Sequence, residues 1–217
     1  PHRGRHFPRN TMKAKLMKGV GVVPKKRELR LIDHPEPTIT TPNEVKIRTI
    51  EVGICGTDRE ICTFAYGQGP AGNDYLVLGH ECLGEVVEVG PGVKQFKVGD
   101  LVVPSVRRPC PDPNCGPCRD GRQDYCATWQ FTERGINQLH GFMTEFFVEE
   151  EPYLTFVPPD LRDVAVMAEP LRPAIKIAAS TGPSSRISEM PRMLTMKASA
   201  PRSRASKPPS ASSARSG

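Results

Sequence analysis

The tightest constraint on this sequence is a set of four cysteines, Cys110, Cys115, Cys118 and Cys126, spaced C-x4-C-x2-C-x7-C within RRPCPDPNCGPCRDGRQDYC. Four thiolates on a Gly- and Pro-rich loop can close a tetrahedron around Zn²⁺ with no open position, the form of a structural site. Such a loop has little core of its own, so the metal is expected to supply much of its folding energy. The bland alternative is four free or disulfide-paired thiols in a surface loop. All seven cysteines lie between Cys55 and Cys126, and the N-terminal residues lack the apolar stretch of a secretory signal. Clustered thiols without an export signal favour metal over disulfides and make a cytoplasmic location the expectation.

The chain has 217 residues, enough to bury a substantial core, and no run of about 18 apolar residues to span a bilayer. Its net charge of +6 is unevenly placed. Residues 1–11 carry three Arg and no acid, and residues 172–217 carry nine Lys/Arg and one acid, Glu189. What lies between is therefore mildly acidic, so charge gives no specific reason to expect nucleic acid or membrane as a partner.

From Met12 to about Leu161 the text divides into short β-prone runs separated by Gly, Pro and Asn: 45–52, 84–89, 100–103, 142–148 and 153–157. Many short strands with turn signals point to a mainly β, barrel-like domain with short helices, one of them expected at 57–64. The leader 1–11 has no pattern and reads as unstructured sequence upstream of the domain. Residues 172–217 hold 11 Ser, 8 Ala and 6 Pro with no aromatic. That tail is expected to be disordered, because it offers little apolar mass to offset the entropy of ordering.

A second constellation is dispersed. Cys55 stands in GICGTDRE, and His80 with Glu81 in LGHECLGEVVEVGPGV. On its own a lone His is more often structural than a ligand. However, Gly79 to Val93 spells G-H-E-x2-G-x5-G-x2-V, FKVGDLVV follows, and the four-cysteine loop comes next. In this order the text resembles the zinc-containing alcohol dehydrogenases of the medium-chain family over about 12–171. TDRE, LVLGHE, GRQDYC and FTERGINQLHGFMTEF are most similar to archaeal and bacterial glucose dehydrogenases. The resemblance implies a GroES-like β-barrel catalytic domain, joined in that family to a Rossmann domain. One departure is the first gap of the cysteine loop, x4 where the family commonly has x2.

By that resemblance Cys55 and His80 are ligands of a catalytic zinc, Glu81 is a ligand or near-ligand, and Glu169 in AEPL is a carboxylate recruited to the same metal. Cys110, Cys115, Cys118 and Cys126 hold a second, structural zinc, so two zinc ions per chain are expected. A catalytic zinc needs an open position, which the substrate hydroxyl takes. Thr57 accepts and passes on its proton, and Asp58 receives the free N–H of His80. Glu133 corresponds to a carboxylate that binds sugar hydroxyls, and Glu169 stands beside it as a substrate-side group. His140 reads as a cleft or plain loop residue, and Cys62 and Cys82 as small buried residues.

Hydride transfer also needs NAD or NADP, which the family holds on G-x-G-x-x-G in a βαβ unit. No such unit is legible here, since Gly19-Val20-Gly21 opens a strand-like segment. The family text breaks off near Leu171, and a frameshift or incomplete sequence is the simplest expectation. The reading is thus a truncated zinc-dependent sugar or alcohol dehydrogenase, expected to bind zinc and turn over little alone, with a sugar or alcohol as its small-molecule partner. The alternative is a non-enzymatic zinc-binding GroES-like module. Family members form homo-oligomers largely through the cofactor domain, so self-association is not expected of this stretch.

Overall fold

The computed structural model describes residues 15–171; the expectations of a leader at 1–11 and a disordered tail at 172–217 lie outside them. Alternating apolar and polar residues set the first strand, β1 (Leu16–Val23), which buries Met17, Val22 and Val23. It pairs in antiparallel register with β2 (Glu28–Pro35) after a short turn, Arg27 supplying the left-handed residue at φ 54°. Then follow β3 (Glu44–Gly53), the helix α1 (Gly56–Cys62), β4 (Leu76–Val77), β5 (Glu81–Val89), β6 (Leu101–Pro104) and β7 (Arg107–Arg108). The cysteine loop carries α2 (Gly116–Arg119), and β8 (Thr132–Arg134), β9 (Gln138–Leu139), β10 (Phe146–Glu150) and β11 (Leu154–Val157) complete the strands.

The protein is mainly β with short helices. Among the described residues the ladders form three sheets, in the orders β2-β1-β4, β10-β3-β5-β6-β11 and β7-β8-β9, rather than one closed ring. The five-stranded sheet is antiparallel throughout and carries the main core of Val45, Ile47, Val86, Val102, Phe142 and Phe147. A second cluster, Val22, Ile61, Leu76 and Leu78, fastens α1 to β1 and β4. Burying Ile61 completely contributes about 1.5–3 kcal/mol, which fixes the orientation of a helix only seven residues long. The 3₁₀ segment Pro159–Met167 closes a third cluster through Ala165 against Leu83, Val103 and Val157.

The expected strand at 142–148 begins only at Phe146. Residues 141–143 instead tie separate elements together: Phe142 N–H donates to Gly79 O, Met143 N–H to Leu78 O, and Val20 N–H to Met143 O. The small β7-β8-β9 sheet was not legible, because strands of two or three residues leave no periodicity. It is anchored to the main sheet by buried charge. Glu149 on β10 receives the guanidinium groups of Arg108 on β7 and Arg134 on β8, and Arg134 also donates to Val148 O at 2.8 Å. Removing Glu149 would leave two poorly hydrated cations without a counter-charge, a loss of several kcal/mol in comparable buried networks, here about 3–5.

No helix among the described residues is long and apolar enough to cross a membrane.

Candidate metal centre and active site

Two groups of metal-ligating atoms converge among the described residues. The first is Cys55, Asp58 and His80, and the second is Cys110, Cys115, Cys118 and Cys126.

Cys55 is the N-cap of α1. Its sulfur accepts the Thr57 N–H at 3.3 Å, while the Asp58 carboxylate accepts the Cys55 N–H at 3.1 Å, a reciprocal capping box. The cap fixes the rotamers of both side chains. His80 arrives from the other side, at the end of the β4–β5 connection. Gly79 before it has φ +88°, and a β-carbon there would run into Met143 and Val52, so the turn that aims His80 requires glycine. The two elements bring Cys55 Sγ and His80 Nε2 to 3.1 Å. His80 Nδ1 faces Asp58 Oδ1 at 3.6 Å, and both atoms are buried with no hydrogen-bond partner.

Electrostatics follow from this geometry. Burial works against charge on His80, but Asp58 and Cys55 outweigh it and raise its pKa to about 9. Burial likewise opposes ionisation of Asp58, and His80 together with the Cys55 and Gly79 amides overcomes it, holding the carboxyl below its usual range. A half-buried thiol with a buried imidazole and carboxylate in a row are the donor set for a zinc ion. Thiolate and imidazole ligands on one tetrahedral zinc stand about 3.5 Å apart, so the observed pair needs to open by only about 0.4 Å. The residues present fit the metal: Cys55 Sγ and His80 Nε2 would hold it, with His80 Nδ1 turned to Asp58 Oδ1 at 3.6 Å.

Glu81 is buried beside this group but not within it. It pairs with Gly53 across β3 and β5, just past a bulge between Thr49 and Glu51, and its carboxylate folds over Gly53, where any β-carbon would strike it. Thr57 is half-buried, and it and Glu60 lie near enough to Tyr66 to act on its hydroxyl, whose pKa is raised chiefly by burial. An aromatic beside Gly67 carries no signal in the sequence for a place near Thr57. Glu169 is likewise outside the Cys55 group. It lines an open cleft of about 580 Å³ with Ser105, Gln123 and Tyr153.

The four cysteines are all buried, clustered with Phe131, and carry no disulfide. Sulfurs this close cannot all ionise without a cation. Burial and the neighbouring sulfurs push Cys118 up to about 12, whereas the Thr128 hydroxyl draws Cys126 down to about 6. The set fits a tetrahedral zinc, and the x4 gap is absorbed by a turn in which Asp112 O accepts the Cys115 N–H.

Glu133 lies on β8 opposite Arg107 on β7, and the two form an ion pair at 2.7 Å. His140 is structural: its Nδ1 accepts the Val77 N–H at 3.2 Å, and its ring stacks on Tyr75 at 4.9 Å. Cys82 is buried, and burial pushes its thiol up to about 12. Cys62 is only partly covered, so the expectation of a small buried residue holds for Cys82 and not for Cys62.

Residues 41–159 match the alcohol dehydrogenase GroES-like domain. The chain belongs to this family. Among curated members it is 47% identical to the glucose 1-dehydrogenase of Methanocella arvoryzae over 156 residues, covering 71% of this chain and 43% of that enzyme. It is 46% identical to the glucose 1-dehydrogenase of Thermoproteus tenax over 158 residues, with the same two coverages. A solved structure of Haloferax mediterranei glucose dehydrogenase in complex with NADP, Zn and gluconolactone aligns with a TM-score of 0.65 at 35% identity, covering 71% of this chain and 43% of that one. This GroES-like chain therefore spans about 43% of the length of the relatives it matches.

Proposed function

We propose that this chain is the zinc-binding catalytic portion of a sugar dehydrogenase that oxidises the C1 hydroxyl of glucose or a similar aldose by hydride transfer to NAD or NADP. The observation that carries the reading is the 3.1 Å approach of Cys55 Sγ to His80 Nε2, with Asp58 behind the ring, within a stretch of 156 residues that is 47% identical to a glucose 1-dehydrogenase. Cys55 and His80 would hold the catalytic zinc, with Glu81 and Glu169 the carboxylates assigned to the same metal. Bound there, zinc supplies Lewis acidity that makes a coordinated hydroxyl easier to deprotonate. Asp58 fixes the His80 tautomer and ring angle. Thr57, half-buried two residues after Cys55, takes up the hydroxyl proton at Oγ and passes it on. Glu133 accepts hydrogen bonds from sugar hydroxyls. Seven free thiols suit a reducing compartment, and we place the protein in the cytoplasm.

Joining residues 12–171 to the remainder of the Haloferax mediterranei enzyme tests this reading. The chimera is expected to oxidise glucose with NADP, and Thr57→Val to lower kcat by at least about a hundredfold, the scale of a lost proton acceptor. A folded chimera that binds two zinc ions and leaves glucose untouched contradicts it.

A further inference from the structure

Arg107 spends every polar arm on one connection. Its Nε and Nη2 donate to the same oxygen of Glu133, Oε1, at 3.1 and 2.7 Å. Its Nη1 donates to the Asp124 carbonyl at 3.3 Å, and its own carbonyl receives the buried Gln123 side chain at 3.2 Å. The guanidinium plane lies over the Phe131 ring, 3.9 Å from Cζ to the centroid. Gln123 and Asp124 belong to the 3₁₀ turn Gln123–Tyr125, whose C-cap is Cys126, a member of the four-cysteine group. A single side chain thus spans from the cysteine loop to the carboxylate on β8.

The far end of the connection reaches the other metal group. Glu133 N–H donates to Asn137 O at 2.8 Å, and Gly135, two residues on, packs against the backbone of Gly79, the residue before His80. With both contacts to Arg107 on Oε1, Oε2 remains to accept from a ligand hydroxyl.

We propose that Arg107 is a positioning residue for sugar recognition: it transmits the order imposed by a metal on the four-cysteine loop to the carboxylate of Glu133. The proposal rests on the sugar-dehydrogenase reading above. It gives the distal metal a second task besides stabilising its loop. With the loop empty, the turn at Gln123–Tyr125 loosens, the Nη1 contact to Asp124 goes with it, and Glu133 loses its fixed orientation. Lysine cannot replace this arginine, because a point charge can pair with Glu133 but has no planar fork to hold Asp124 at the same time.

The test uses the 217-residue chain. Amide hydrogen exchange is followed at 132–134 with and without zinc in a His80→Ala background, where the four-cysteine site alone is meant to load. Zinc is expected to raise protection at 132–134 about tenfold, within the usual range for coupled sites. Arg107→Met and Arg107→Lys are expected to bind the same zinc and to lose that gain; should the Met variant not fold, the Lys variant decides. Zinc-dependent protection that survives in either folded variant overturns the proposal. Calorimetric titration of the zinc-loaded chain with glucose, His80 intact, is expected to show affinity about tenfold weaker in Arg107→Lys. Equal affinity overturns the role in sugar recognition. Exchange coupling that depends on Arg107, in a chain that binds no glucose at all, counts against the sugar reading of the site and leaves the mechanical connection standing.

Discussion

Asp58 Oδ1 and His80 Nδ1 face each other across 3.6 Å of buried space with no other partner for either atom. The carboxylate that caps α1 thus also faces the imidazole, so forming the helix places Asp58 beside His80. Asp58→Ala is expected to weaken the Cys55–His80 zinc about 10–100-fold, the usual cost of losing the group behind a ligating histidine. Competition with a chelator measures this, and the four-cysteine zinc should be unaffected. Equal weakening at both sites would mean that Asp58 serves the fold alone.

Gly53 gives a second prediction. Its missing side chain is what lets the Glu81 carboxylate fold back over β3. Gly53→Ala forces Glu81 aside and is expected to cost about 1–3 kcal/mol, as overpacking of a filled interior does. Urea unfolding of the zinc-free chain reads it. Gly53→Ala combined with Glu81→Ala should recover most of the loss, and failure to recover would place the strain elsewhere.

The third concerns pH. Burial pushes His140 down to about 4, with His34 and Arg134 adding to it, from an ordinary 6.5. Its folded pKa lies below its unfolded one, so below 6.5 the unfolded chain takes up the proton first. The stability it contributes is complete above pH 6.5, declines as pH falls, and is gone below about 4. Burial lowers His34 as well, in the same direction. Urea midpoints at pH 7 and 4.5 should therefore differ less in His140→Gln than in the unaltered chain; an unchanged difference would show that other groups govern the acid limb.

What could be read in advance divides by range of interaction. Cys110 to Cys126 sit close in the chain, so their spacing alone announces a metal loop, and the GHE motif marks His80 as a partner for Cys55. The β pattern at 45–52 and 84–89 was visible because these strands bury one face for several residues. Long-range polar pairing was not. Nothing in the text around Arg107 and Arg108, or in the run of three acids from Glu149, says which charge meets which. In the fold these residues are half or fully buried: Arg107 pairs within the small sheet with Glu133, and Arg108 with Glu149 holds that sheet to the large one. Glu133 was singled out on the family pattern as a sugar ligand, and its pairing with Arg107 depends on a register between two very short strands that no periodicity betrays.

Cys55 and His80, 25 residues apart in sequence, make a metal site separate from the four-cysteine loop on the reading proposed above. Zinc content of the purified chain after exhaustive dialysis tests it directly. Two zinc ions per chain are expected, falling to one in Cys55→Ala or His80→Ala. Two ions retained in either variant, or one ion in the unaltered chain, would contradict it.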